Sequence, residues 1–270
     1  MIEPPFVTDA DLSRTYDSGA YEDPYDRIED YRRVIEYAAD HPNRGSQAIA
    51  TALELPRSRI RPWVDGDAKP DPMRGVEIAE QHGWLRLTYD DPKFQALNRL
   101  VAWVFSGGSL ASDTFAPLFA VESESDADQL RSDFETLGVK YAVERDDDPD
   151  RATELRPTAH GTVLGRVLHV LGAPIADKNP DASISLPAYL DDAPGSIRLD
   201  FVDVYLLNRA VEFEDKRMLQ VAEDRSPDYL EALAAFFESV AGESVTVSAK
   251  NIYLSSAAAQ SLYEKIGSPK

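Results

Sequence analysis

The chain predicts an α+β protein: a small all-helical module, then two similar halves that each run helix–strand–strand–helix–strand–strand–helix. Three observations predict it. Short helices separated by tight turns fill residues 27–92. Two apolar helical segments, Leu100 to Gly108 and Phe201 to Arg209, stand about a hundred residues apart, each followed by similar elements. A stretch rich in Pro, Asp, Asn and Ala separates the two sets. The expected divisions are an arm (1–26), the helical module (27–92), a first half (93–172), a linker (173–195) and a second half (196–270).

The arm is Pro-, Asp-, Tyr- and Ser-rich without a sustained period, and is expected to be mobile or draped. Ile28 to Asp40 carries Tyr31, Val34, Ile35 and Ala38 on one face and ends at His41-Pro42-Asn43-Arg44-Gly45. Ser46 is placed to cap a short helix over 47–53, with Ala50 where two helices must approach closely. Glu54-Leu55-Pro56 forms a turn, and Arg57 to Val64 a second short helix stopped by Asp65-Gly66. Pro62 sits inside that helix, where it is tolerated only with distortion. Asp71 can cap a further helix over 72–81, with proline at its first position. Short helix, tight turn, short helix is the helix-turn-helix plan, and the module resembles small DNA-reading modules of that type.

In the first half, 114–121 reads as a strand that Pro117 assigns to an edge or bulge. Ser125 is placed to cap a helix over 126–137, where Leu130, Phe134 and Leu137 share a face and Gly138 stops it. Residues 139–144 and 153–156 read as strands on either side of an acidic loop from Arg145 to Arg151, and 160–171 as a helix. The second half repeats the order: helix 198–207, strands 209–214 and 217–223, helix 228–240, strands 245–248 and 252–255 around a turn at Lys250-Asn251, and helix 257–266.

Leu100-Val101-Ala102-Trp103-Val104-Phe105-Ser106-Gly107-Gly108 resembles the signature helix of LAGLIDADG homing endonucleases, and Phe201-Val202-Asp203-Val204-Tyr205-Leu206-Leu207-Asn208-Arg209 resembles a second copy. Leu186-Pro187-Ala188-Tyr189-Leu190 is similar to a short stretch that precedes the second helix in many such proteins. The resemblance implies that the strands join into one saddle-shaped sheet and that the two helices pack side by side. It also implies that the penultimate signature position holds a carboxylate for a divalent metal. Here those degenerate positions are Gly107 and Asn208, so no catalytic residue, metal or cofactor is expected. Asp203 is mid-helix and reads as structural. Small residues, through which the family packs its helices, are missing at Val202 and Asp203.

The formal charge of −20 and a pI near 4.5 argue against contact with phosphate. Asp outnumbers Glu and Arg outnumbers Lys, a composition that resembles proteins of salt-loving archaea. At molar salt the Debye length is about 3 Å, so only local charge matters. Locally, residues 41–64 carry Arg44, Arg57, Arg59 and Arg61 against one acid, Glu54. The absence of cysteine excludes disulfides and thiolate-bound metals. No apolar run approaches membrane-spanning length and no signal peptide opens the chain, so a cytoplasmic protein is expected. His41, His82, His160 and His169 lack metal-ligand spacing, and Ser106-Gly107-Gly108-Ser109 lacks the lysine of a phosphate loop. Asp146 to Asp150 lacks the ligand pattern of a calcium loop.

The sequence therefore points to a sequence-specific binder of double-stranded DNA, a transcriptional regulator built on a scaffold without nuclease activity. Arg44, Ser46, Gln47, Arg57, Ser58, Arg59 and Arg61 are the candidate DNA contacts. Bacterial regulators that join an inactive LAGLIDADG scaffold to a helix-turn-helix, in the opposite order, are a precedent. Proteins of the transcription machinery are expected as further partners. The alternatives are an active or decaying homing endonuclease and a protein-interaction scaffold that touches no DNA.

Overall fold

The computed structural model describes residues 5–17, 19–121, 123–144, 152–175, 178–213 and 216–267. It resolves into two compact units, one over Val7–Leu85 and one holding Phe6 with the chain from Arg86 onward. The acidic loop 145–151 lies outside the described residues.

The smaller unit is helical: α1 (Asp9–Ser13), α2 (Pro24–Asp40), α3 (Ser46–Leu53), α4 (Arg57–Asp65) and α5 (Asp71–His82). Residues 1–26, expected as an arm, thus contain a helix. Thr8 and Asp11 form a reciprocal capping box at its start, and Leu12 is fully buried. Asp23 caps α2, which begins four residues before the expected Ile28 because Pro24 suits a first turn. Gly45 rather than Ser46 is the N-cap of α3, and Pro70 rather than Asp71 that of α5. Val34, Ile49, Ala50, Ile60 and Trp63 form a core shared by α2, α3 and α4.

The larger unit holds the two halves. The first is α6 (Pro92–Ser106), β1 (Gly108–Leu110), β2 (Pro117–Val121), α7 (Glu124–Leu137), β3 (Tyr141–Glu144), β4 (Thr153–Pro157) and α8 (Gly161–Val170). The second is α9 (Gly195–Arg209), β5 (Ala210–Phe213), β6 (Lys216–Ala222), α10 (Pro227–Ala241), β7 (Val245–Ser248), β8 (Asn251–Leu254) and α11 (Ser256–Ile266). The helix–strand–strand–helix–strand–strand–helix order is present in both. Each half builds its own four-stranded antiparallel sheet with the same order, β1-β2-β4-β3 and β5-β6-β8-β7. One continuous sheet is therefore not formed: among the described residues no strand of one half pairs with the other, because the seam between halves is made of helices. Pro117 is not on an edge strand. It opens the inner strand β2, opposite Leu110, where its missing N–H interrupts the ladder least. Ser123 rather than Ser125 caps α7, accepting from the Asp126 N–H at 3.2 Å. Phe6 pairs with Leu87 and stacks on Phe94 with ring centroids 4.6 Å apart.

The seam is α6 against α9. The Asn98 amide donates to the Ile197 carbonyl at 2.9 Å, Arg99 to Asp200 at 2.9 Å, and the Asn208 amide to the Ser106 hydroxyl at 3.0 Å. Early residues meet early ones and late meet late, so the helices run parallel. Between those contacts Val101, Trp103, Val104, Phe105, Phe201, Val202 and Tyr205 are fully buried or nearly so. Asp203 is exposed and stays out of this packing. Tyr189, in the 3-10 turn Ala188–Leu190, donates to Asn98 at 2.7 Å and so ties the linker to the seam.

Arg99 also holds Asp133 of α7 through two nitrogens, at 2.9 and 2.6 Å. Asp133 is fully buried, and burial pushes its carboxyl up to about 6 against the pull of Arg99. Above the ordinary value of 3.8 and up to about 6 the folded chain binds more protons here than the unfolded one. The contribution of this group is thus fully present below 3.8 and is lost as pH rises through about 6. Urea unfolding of the parent and of Asp133→Asn should show their stability difference, parent minus variant, falling over that interval. A difference that is flat or rises contradicts the assignment.

Candidate nucleic-acid interface

α3 and α4 meet across a tight turn. Glu54 takes a left-handed conformation (φ 57°), and its N–H closes on the Ala50 carbonyl. Leu55 and Pro56 complete the connection, and Ala50, nearly buried, lets the two helices approach. Ile60 and Trp63 face inward, so Arg57, Ser58 and Arg61 are left exposed.

Arg57 and Arg61, four residues apart, lie on one side of α4. Arg57 has no ion pair among the described residues, and Arg61 comes no nearer than 3.7 Å to Asp65. Arg59 is turned the other way. It lies over the Tyr21 ring at 4.3 Å and 3.8 Å from Asp30, which accepts the Tyr21 hydroxyl at 2.9 Å. Burial, and then Asp30, pushes the Tyr21 phenol up to about 12. Ser46 is buried and donates to Asp65 at 2.8 Å, pinning the start of α3 to the end of α4. Gln47 is exposed. Arg44 is exposed and donates to the Tyr37 hydroxyl at 2.6 Å, and Tyr37 stacks on His41 at 4.1 Å. The outward candidates are therefore Arg44, Gln47, Arg57, Ser58 and Arg61, while Ser46 and Arg59 serve the packing.

In the larger unit, the parallel pairing of α6 and α9 brings two helix C-termini together, each the negative end of a helix dipole. Gly107 and Asn208 face each other there. A Cβ built at position 107 would lie 2.4 Å from the Asn208 Oδ1, so a side chain at 107 requires the Asn208 amide to move. The Asn208 amide is engaged by Ser106 and by the Val204 carbonyl, at 3.0 and 2.9 Å.

The end of α6 is supplied with cations by the chain itself. The Lys178 ammonium donates to the Val104 and Gly108 carbonyls, at 2.5 Å each. Arg225 donates to the Phe105 carbonyl at 3.0 Å, the Lys178 carbonyl at 2.8 Å and Glu223 at 3.0 Å. Glu223 also accepts from the Tyr205 hydroxyl at 2.7 Å and lies 3.5 Å from Arg209. The Arg225 and Glu223 side chains are 4% and 2% exposed. Burial, with Arg225 and Arg209 nearby, pushes the Lys178 amine down to about 8.

A divalent metal does not fit this end. It needs several oxygen ligands, whereas position 107 offers none, position 208 offers a single neutral amide oxygen, and a resident ammonium and guanidinium take the Val104, Phe105 and Gly108 carbonyls. Among the described residues no group of three or more His, Asp or Glu is placed to hold a metal ion. Lys178, Glu223 and Arg225 were not singled out in the sequence. The available signal was slight: Lys178 is the one cation in the linker 173–195.

No protein-family model matches the chain, and no curated protein does. Solved structures of similar fold include full-length DUF199/WhiA from Thermatoga maritima, with 12% identity and a TM-score of 0.45 over 72% of this chain and 61% of that one. The matched part thus spans less than two thirds of that protein. The N-terminal LAGLIDADG domain of DUF199/WhiA aligns at 11% identity and TM-score 0.47, over 73% of this chain and 93% of that one. The homing endonuclease I-WcaI bound to its DNA recognition sequence aligns at 10% identity and TM-score 0.49, over 73% and 88%. Among the described residues no helix is long and apolar enough to cross a membrane.

The contact at 107 is open to test. Gly107→Ala should cost about 1–3 kcal/mol by overpacking, and Asn208→Ala should recover much of that loss in the double variant. Denaturant unfolding of the four proteins reads the coupling, and additive effects contradict the facing geometry.

Proposed function

We propose that the protein is a sequence-specific double-stranded DNA-binding protein that regulates transcription in the cytoplasm of a salt-adapted cell and does not cut DNA. The observation that carries this reading is the exposed face of α4, where Arg57, Ser58 and Arg61 stand clear of a core built from the rest of the helix-turn-helix. Such a helix enters the major groove, and a free arginine fork reads guanine through two acceptors.

The second half of the larger unit adds a second surface along which two strand rows carry no acid. In the second half, the cross-strand row Val211–Gln220–Tyr253–Thr246 and the row Ala222–Asn251–Ser248 carry no acid, in a chain of net charge −20. The intervening row holds the fully buried Val221 and Ile252, so the neutral rows form the outer side of that sheet. Gly107 brings no ligand and Asn208 a neutral amide, and Lys178 and Arg225 already hold the carbonyls at the end of α6, which supports binding without cleavage.

Arg57→Ala or Arg61→Ala should each cost roughly 1–3 kcal/mol at the cognate site and relax preference at one base pair. Arg44→Ala should weaken cognate and scrambled duplexes alike and reduce the salt slope. Anisotropy titrations at several salt concentrations, on a site obtained by selection from random duplexes, check both. Equal binding by parent and the Arg57/Arg61 double variant contradicts the reading. Incubation of the selected duplex with Mg²⁺ or Mn²⁺ should give no strand scission. Cleavage that a chelator abolishes contradicts that part.

A further inference from the structure

On the other flank of α4, within the helical unit, Tyr21, Arg27, Arg59, Trp63, Lys69 and Asp71 help line a cleft of about 490 Å³. That volume lies in the range of small-molecule pockets. Its charge runs against the rest of the molecule. Three lining residues are cations, in a chain of net charge −20, and the one lining carboxylate, Asp71, is already paired with Arg74.

The cations are not equally committed. Lys69 is held by both oxygens of Glu77 at 2.6 Å. Arg59 rests on the Tyr21 ring, with Asp30 at 3.8 Å, beyond hydrogen-bond length. Arg27 is half-buried and has no ion pair among the described residues. The first turn of α4 opens onto the same space through Pro56 and Ser58, and no side chain caps that turn. Uncapped N–H groups beside two arginines with spare donors form the chemistry that holds a phosphate. The Tyr21 ring adds a flat wall.

We propose that this cleft is a phosphate-group site, with Arg27 and Arg59 as the fork and the start of α4 as the backbone contribution. Two sources carry the same chemistry: a free phosphorylated small molecule with a planar ring, or a phosphate of the DNA backbone. In either case the site sits on the helix that carries Arg57 and Arg61, neither of which lines it, so occupancy restrains that helix while leaving those two arginines uncovered. The free-molecule arm stands independently of DNA binding; the backbone arm rests on the functional reading above.

The test uses the full chain at fixed ionic strength. Calorimetric titration with AMP, inorganic phosphate and adenosine is run on the parent and on Arg27→Met. A free-molecule site gives saturable binding of AMP and phosphate but not adenosine, weakened about tenfold by Arg27→Met with an unchanged melting temperature. A backbone site gives no heat with either small anion, but Arg27→Met lowers affinity for cognate and scrambled duplexes alike. Loss of neither, or AMP binding that Arg27→Met leaves unchanged, overturns the proposal. If no duplex binds at all, the functional reading fails and the AMP titration alone decides the cleft.

Discussion

The parallel pairing of α6 with α9 is the constraint on which the larger unit depends. Each half closes its own sheet, and among the described residues no strand pairs across them, so besides the linker the halves are held by the packing of these two helices. The apolar middle of the seam supplies burial, at roughly 25 cal/mol per Å² of apolar surface. The polar ends set its register: Asn98 on the Ile197 carbonyl and Arg99 on Asp200 at one end, Asn208 on Ser106 at the other. An antiparallel or slipped pair would take the buried Asn98 amide away from the Ile197 carbonyl, at about 1–3 kcal/mol for an unsatisfied group.

Parallel packing carries an electrostatic cost. Two negative helix ends converge where water is scarce, and the spot calls for positive charge. This chain answers with Lys178 from the linker and Arg225 from the segment after β6, both bonded to carbonyls of the last turn of α6 or just beyond it. Glu223 offsets part of the added charge and is locked between Arg225 and Tyr205. With Gly107 and Asn208 bringing no charge to this place, Lys178 and Arg225 supply it and satisfy the carbonyls at the end of α6.

Much of the fold was legible from period and punctuation. Leu130, Phe134 and Leu137 mark one face of α7, and Gly138 ends it in a left-handed conformation. β1 escaped notice because three residues directly after a helix carry no alternation to read. The split into two sheets depends on pairings such as Val221 with Ile252, which no local pattern specifies. The same limit hid the helix-end cluster, since Lys178 meets Val104 across 74 residues. In the helical unit, helix geometry alone separates Arg59 from Arg57 and Arg61. Assigning Arg59 to the inner side required knowing that Tyr21 and Asp30 wait there.

The central claim is that the chain's own Lys178 and Arg225 occupy the carbonyls at the end of α6, where the two helices converge, leaving no divalent-metal site. Titration of Mn²⁺ into the full chain at molar KCl, followed by electron paramagnetic resonance, tests it most directly, because high salt suppresses diffuse binding to the acidic surface. The account predicts no saturable one-to-one binding, and the same signal for the parent and for Asn208→Ala. Stoichiometric, tight Mn²⁺ binding that Asn208→Ala abolishes would contradict it.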